Sequence, residues 1–183
     1  MTKVPSAASA RLGNLAHMNG RIVVGVDASP ASGRALRWAL REAVLRKAHV
    51  VAVTAWQVPD AAFNVYRPSA YDALREDVET EQRELAVASL DAAYLLEPMA
   101  EGVAATVHTV EGKAADVLVA ESADADVLVV GARGLKAIKR VVLGSTSSDV
   151  LARARCPVVV VHAAPEDRNV VEEAELRAEV AAL

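Results

Sequence analysis

The sequence predicts an α/β protein, a single domain built on an open, mostly parallel sheet with helices on both faces. Three observations predict this class. Short β-branched apolar blocks alternate with longer segments of helical periodicity, as in parallel sheets joined by right-handed crossovers. The blocks lack polar alternation, which is typical of strands buried on both faces. The length of 183 residues suits one domain with a sizeable core.

The first strand and helix begin at Arg21. The block 22–26 is apolar and rich in valine, which predicts strand one. Ser29 then provides a helix N-cap and Pro30 a first helical residue, because the missing N–H of proline costs nothing there. Apolar residues recur at helical spacing over 31–47, so a helix follows the turn directly.

The remaining elements alternate between strand and helix. Their predicted bounds, starting with strand two, are 49–56, 71–96, 103–110, 113–122, 127–130, 147–155 and 157–161. Pro98 and Gly102 end the long second helix. Within that helix, Arg75, Glu79 and Arg83 predict charge pairs at four-residue spacing.

Three regions are expected along the chain. We expect residues 1–20 to form a flexible leader and residues 21–164 to form the domain. The tail at 165–183 combines acidic residues with apolar residues at helical spacing. Two interpretations of the tail remain open, a frayed terminal helix or a docking segment for a protein partner.

Composition excludes several classes of protein. Lys plus Arg is 20 and Asp plus Glu is 24, a net charge of −4 that gives no general reason to bind nucleic acid or an anionic membrane. No apolar run has the length of a membrane span, and residues 1–20 lack the apolar stretch of a secretory signal, so a cytoplasmic protein is expected. Cys156 is the single cysteine and is expected to be a buried, inert thiol. The four histidines lack zinc-type spacing, so no metal site is predicted.

Ligands of open parallel sheets bind beyond the carboxyl ends of the strands, where the strand order reverses. The loops after strands one and four are therefore the candidates. The first loop carries Asp27 at the end of its strand. The second contains Gly131 and Gly134, nine further residues, and then Gly144 at the start of a helix.

The second loop has the features of a phosphate cradle. Glycines let backbone N–H groups converge on an anion, and a helix N-terminus adds N–H donors and partial positive charge. Hydroxyl donors come from Ser145, Thr146 and Ser147, and cations from Arg133, Lys136, Lys139 and Arg140. Simpler interpretations remain open on the sequence. In these, the glycines only satisfy turn geometry, Ser147 is only an N-cap, and the basic residues form a solvated face.

Other chemistries find little support. The dinucleotide fingerprint Gly-x-Gly-x-x-Gly is absent, and Gly20 and Gly25 are not followed by the Lys and Ser/Thr of a P-loop. No catalytic residue is predicted. Asp27 is expected to accept hydrogen bonds from adenine or ribose rather than to act as a base.

From Arg21 to His162 the chain resembles the universal stress proteins, in their nucleotide-binding branch. The segments that carry this resemblance are 25–29, 127–134, 142–145 and 156–161. The family's ATP signature is Gly, two residues, Gly, nine residues, Gly, then Ser or Thr, and Gly131, Gly134, Gly144 and Ser145 meet it. Ala28 departs from the pattern, because many members carry Gly there and a side chain restricts the turn.

The resemblance implies a five-stranded sheet in the order 3-2-1-4-5, a homodimer, and ATP, with or without Mg²⁺, beyond strands one and four. Val26 and Asp27 are expected at the adenine and ribose, Ala55 is expected to line the base, and Val130 is expected to pack nearby. The residues implied around ribose and phosphates are Gly131, Arg133, Gly134, Gly144, Ser145, Thr146 and Ser147. Strand five, at Val158 to Val161, is placed at a sheet edge and is expected to pair with its copy.

Several functions remain open on the sequence. The first is an ATP-binding stress-response protein that acts as a sensor or regulator. The second is a slow ATP hydrolase or adenylyl-transferring enzyme, which turnover would distinguish. AMP or cyclic AMP also suits the cradle, and an interaction module with an empty pocket is a further alternative.

Overall fold

The computed structural model describes residues 20–58, 68–132, 134 and 143–162. Strands and helices alternate through these ranges. In chain order they are β1 (Arg21–Gly25), α1 (Pro30–Arg46), β2 (His49–Trp56), α2 (Pro68–Leu96), β3 (Ala105–Glu111), α3 (Ala114–Glu121), β4 (Val127–Gly131), α4 (Ser145–Arg153) and β5 (Val158–Val161). A 3-10 turn at Pro98–Ala100 follows α2.

The strands form one parallel sheet in the order β3-β2-β1-β4-β5, which confirms the predicted fold class and strand order. The register aligns the carboxyl ends of neighbouring strands, since Gly25 lies opposite Val53 and Gly131 opposite Val161. The loops after β1 and β4 therefore emerge side by side at one edge, where the strand order reverses.

The core has two layers, one on each face of the sheet. Val24 and Val129 belong to the layer shared with α1 and α2, whereas Val23 and Leu128 belong to the layer shared with α3 and α4. Neighbouring residues of a strand point to opposite faces, so a strand covered on both sides must be apolar at every position. This requirement explains the continuous valine runs.

The predicted start of α1 is confirmed. The Ser29 side chain accepts a hydrogen bond from the Ser32 backbone N–H at 3.2 Å, and Pro30 is the first helical residue. The helix ends at Arg46, and the C-cap residue Lys47 adopts a left-handed conformation with φ 54° and donates its backbone N–H to the Ala43 carbonyl.

Three elements have a boundary that differs from the prediction by two residues or more. Helix α4 begins at Ser145, with Gly144 as its N-cap, and ends at Arg153. Strand β3 begins at Ala105, and α2 already begins at Pro68. Proline is tolerated in the first turn of a helix, where its missing donor has no partner to lose, so α2 can begin before the periodic segment.

Two side chains differ from expectation because of tertiary contacts. Arg75 pairs with Glu111 on β3, and its guanidinium lies over the Trp56 ring at 5.9 Å from the centroid. Helix α2 packs across β2 and β3, which brings these groups to Arg75, and the Glu111 carboxylate raises the pKa of Arg75.

Cys156 is half-buried rather than buried and packs against the α3 and α4 layer.

Some predicted features lie outside the described residues. They are most of the leader, the tail at 165–183, most of the connection at 59–69, Arg133, and the basic residues Lys136, Lys139 and Arg140. Among the described helices, none is both long enough and apolar enough to span a bilayer.

Candidate functional site at the carboxyl edge of the sheet

Asp27 is the first polar residue after β1 and is held by the turn that follows. Its Oδ1 accepts hydrogen bonds from the Ser29 backbone N–H at 3.1 Å and from the Ser29 hydroxyl at 2.6 Å. The hydroxyl oxygen of Ser32, in the first turn of α1, accepts a hydrogen bond from the Asp27 backbone N–H at 3.4 Å. Ser29 and Ser32 are both buried, so the exposed carboxylate projects from a fixed support.

The turn contains a strained residue. Ala28 has φ 58°, a left-handed conformation that costs an L-residue roughly 1–2 kcal/mol and that glycine adopts freely. The side chain at this position thus restricts the turn, as the departure from the family pattern indicates.

Two glycines of the second loop lie against the first loop and against α1. A Cβ on Gly134 would overlap the Oδ2 atom of Asp27. A Cβ on Gly131 would lie 2.9 Å from the Ala31 Cβ and 3.1 Å from the Ser32 nitrogen. Neither glycine has a positive φ, so close approach is the reason that glycine is needed here. The two loops are therefore in direct contact.

Ala132 connects the two ends of the second loop. Its N–H donates to the Val161 carbonyl at 2.8 Å, and its carbonyl accepts the Gly144 N–H at 2.7 Å. The Ser147 hydroxyl lies 3.0 Å from the carbonyl oxygens of both Ala132 and Gly144. These contacts hold the first turn of α4 beside the residues that follow β4.

Ser147 consequently differs from its two neighbours. It is 2% exposed and its single hydroxyl proton is directed at backbone carbonyls. Ser145 is exposed and Thr146 is half-buried, and neither hydroxyl has a hydrogen-bond partner within the described part of the chain. In the first turn of α4, the hydroxyls of Ser145 and Thr146 are thus available to a ligand, while Ser147 supports the loop.

The start of α4 has the electrostatics of an anion site. Gly144 has an extended backbone, with φ −72° and ψ 164°, and provides no side-chain cap. The N–H groups of a helix's first turn lack intrahelical acceptors, and the helix dipole adds partial positive charge there. These donors lie next to the loop that contacts Asp27, so an anion and a hydrogen-bonding group can be recognised together.

The predicted base-contacting residues are divided between the two faces. Val26 is buried on the face of α1 and α2, and its N–H donates to the Val53 carbonyl at 2.8 Å. Ala55 and Val130 belong to the opposite layer, where Ala55 is half-buried and Val130 is 3% exposed. Ala55 is therefore the most accessible of these three apolar side chains.

Sequence reasoning missed Ala132 and Ser32. Ala132 acts through backbone hydrogen bonds to Gly144 and Val161, and Ser32 through its hydroxyl to the Asp27 N–H five residues earlier. No sequence motif marks either residue. In the described ranges, no cluster of three or more His, Cys, Asp or Glu side chains could hold a metal ion. The described part of the site brings together backbone and hydroxyl donors, the Asp27 carboxylate and close-packed glycines.

The fold is that of an open α/β sheet protein, and the two contacting loops lie where its strand order reverses. The family model of the universal stress protein family matches residues 18–162. The chain belongs to the universal stress protein family.

A curated relative supports the same assignment. A universal stress protein of Mycolicibacterium smegmatis is 38% identical over 150 residues, which cover 77% of this chain and 47% of the relative. The chain thus spans about half the length of that relative.

Solved structures with the same fold include three universal stress proteins. UspA from Lactobacillus plantarum has a TM-score of 0.61 at 23% identity, covering 79% of this chain and 98% of its own. A universal stress protein in complex with cAMP has a TM-score of 0.50 at 29% identity, and the match covers 78% of this chain and 96% of the solved chain. The universal stress protein from Archaeoglobus fulgidus in complex with dAMP has a TM-score of 0.50 at 25% identity, and the match covers 79% of this chain and 98% of the solved chain.

Proposed function

We propose that this protein binds an adenine nucleotide, with ATP as the leading candidate, and acts as a sensor or regulator in a stress response. The observation that carries the proposal is the contact of the two loops, with Gly134 against Asp27 and the first turn of α4 clamped alongside. Two similar proteins were solved with cAMP and dAMP, which supports an adenine nucleotide as the ligand class.

The site suggests a division of roles. Asp27 accepts hydrogen bonds from the nucleoside, and Ala55 and Val130 line the base. The backbones of Gly131, Ala132 and Gly134 and the first turn of α4 surround the phosphates, with hydroxyl donors from Ser145 and Thr146. Ser147 holds the cradle closed through Ala132 instead of donating to phosphate.

Where ATP carries Mg²⁺, the ion would be held mainly by the phosphates. The hydroxyls of Ser145 and Thr146 lie among the described residues as further oxygen ligands, which suits an ion that keeps several waters and substrate oxygens. An interaction with partners through the tail at 165–183 is part of the proposal, because a regulator must signal its nucleotide state to something.

Calorimetry on the full chain tests nucleotide binding. ATP, AMP and cyclic AMP are titrated into wild type and into Gly134→Asp, which places a second carboxylate beside Asp27. We expect the variant to lose ATP binding, because the new side chain overlaps Asp27 and repels phosphate. Gly33→Ala is the matched control, since a Cβ there meets nothing within 4 Å. Unchanged ATP affinity in a folded Gly134→Asp chain would remove this loop from the site.

The second candidate function is slow ATP hydrolysis. Asp27 is the described carboxylate at the site, and its Oδ1 already accepts two hydrogen bonds from Ser29. Those bonds favour a positioned acceptor over a general base. Asp27→Ala should therefore weaken ATP binding and leave hydrolysis per bound ATP unchanged. Rapid turnover by wild type that disappears in Asp27→Ala would favour the enzyme instead.

A further inference from the structure

Helix α2 carries an apolar stripe on its solvent face, formed by Leu85, Ala88, Ala92 and Leu95. Leu85 is 43% exposed, Leu95 is 83% exposed, and both alanines are exposed. The spacing of three, four and three residues places all four on one side of the helix. Leu96 and Met99 extend the apolar surface at 60% and 83% exposure.

The exposure of the stripe does not come from a loose helix end. On the opposite side of α2, Leu90 and Tyr94 are buried, and the Tyr94 hydroxyl donates to the Val103 carbonyl at 2.8 Å. Glu97, directly after the helix, accepts hydrogen bonds from Arg37 at 2.8 Å and Arg41 at 3.1 Å. The stripe is therefore presented by a rigid, anchored helix.

The stripe has the pattern of a coiled-coil seam. Apolar residues that alternate at three- and four-residue spacing pack into the equivalent seam of another helix. Small residues at such a contact allow the helix axes to approach to about 8 Å. Ala88 and Ala92 occupy the middle of the stripe, between the two large residues Leu85 and Leu95. The closest approach is thus expected at its centre.

The order of large and small residues is symmetric about Leu90. In an antiparallel pair related by a two-fold axis at that level, Leu85 faces Leu95 of the second copy. Ala88 then faces Ala92 of the second copy. A two-fold contact requires such a self-complementary surface, with each residue meeting its counterpart across the axis.

We propose that α2 is a self-association surface, through which two copies of this chain pair by antiparallel contact of their Leu85–Leu95 stripes. The acidic tail at 165–183 is a poor occupant, because Glu84 and Asp91 flank the stripe. The stripe is short, and the pair of helices is expected to bury close to the ~1,000 Å² at which specific interfaces begin. The association should therefore be weak.

The charges make the proposal specific. The Asp91 side chains of the two copies lie near the axis and repel each other, so added salt should strengthen the association by screening. Asp91→Asn should strengthen it in the same way. Leu95→Glu should abolish it, because it places a charge opposite Leu85.

Light scattering across a range of micromolar concentrations tests these expectations on the full chain. The mean mass of wild type should rise with concentration above that of Leu95→Glu, whatever other interface the chain uses. Asp91→Asn should associate at lower concentration than wild type. Leu45→Glu is the control, because Leu45 is 79% exposed on α1 and is not one of the four stripe residues, so the change should leave the mass unchanged. Equal masses for wild type and a folded Leu95→Glu would overturn the proposal.

Disulfide trapping tests the antiparallel arrangement. Ala88→Cys and Ala92→Cys are made separately in a Cys156→Ser background, mixed and oxidised. The antiparallel pair predicts mainly the mixed disulfide between the two variants, because Ala88 faces Ala92 of the second copy. Disulfides only within each variant would indicate a parallel pair, and no disulfide at all would assign the stripe to another partner. Either result would overturn the proposal.

Discussion

Gly134 lies against the Asp27 carboxylate, so closely that a Cβ at position 134 would overlap Oδ2. The carboxylate cannot easily turn away, because its Oδ1 is held by the Ser29 N–H and hydroxyl. Residues from the ends of β1 and β4 thus share one small volume at the carboxyl edge.

This relationship predicts energetic coupling between the two positions. Gly134→Ala alone should weaken ATP binding by displacing Asp27, and Asp27→Ala alone should weaken it by about tenfold or more, since a hydrogen bond to a charged group is worth about 1.5–3 kcal/mol. In the double variant, the loss should equal that of Asp27→Ala, because the space for the new Cβ is then open. Calorimetry on all four chains measures the coupling. Additive losses would show that Gly134 acts independently of Asp27.

Ser145 and Ser147 should respond differently to alanine. Ser147→Ala removes a buried hydroxyl from the Ala132 carbonyl and should lower the free energy of unfolding by about 1–2 kcal/mol. Ser145→Ala changes an exposed hydroxyl and should lower ATP affinity with little effect on stability. Urea unfolding and calorimetry on both variants separate the two roles. A stable Ser147→Ala chain with lost ATP binding would instead make Ser147 a direct ligand.

Ala28→Gly should stabilise the protein. It relieves a left-handed alanine at φ 58°, and the gain of roughly 1–2 kcal/mol is partly offset by the larger backbone entropy of glycine in the unfolded chain. Lys47→Gly, at φ 54° and distant from the site, is the matched control for stability. Both midpoints of urea unfolding should rise, and only Ala28→Gly should also alter ATP affinity. A lower midpoint of urea unfolding for Ala28→Gly than for wild type would show that the backbone of Ala28 is not strained.

The edge strand β5 predicts a homodimer. All four residues of Val158–Val161 are half-buried. Strand β5 is the last strand of the sheet and pairs with β4 along one of its two edges. Pairing with its copy about a two-fold axis would satisfy the backbone and cover the valines. In the Leu95→Glu background, which removes contact through α2, the full chain and a chain ending at Ala164 should both scatter as dimers. A dimer lost with the tail would assign the contact to residues 165–183, and a monomeric full chain at micromolar concentration would exclude pairing through β5.

The sequence by itself determined the order of the elements, the parallel sheet and the start of α1. These properties depend on local patterns: valine runs for strands covered on both faces, helical spacing of apolar residues, and the Ser29-Pro30 pair at a helix start. The glycine spacing after β4 also marked the loop that contacts Asp27. Each is a property of neighbouring residues, so it can be predicted without knowing what the segment touches.

Only the tertiary structure decided which groups meet. Arg75 has a helical neighbour of opposite charge in Glu79 yet pairs with Glu111, because α2 crosses β3. The Ser147 hydroxyl is directed at Ala132 instead of outward, because β4 and β5 bring that carbonyl to the start of α4. Such partners lie far apart along the chain. Their choice depends on how strands are ordered and helices are packed, which no local spacing of residues encodes.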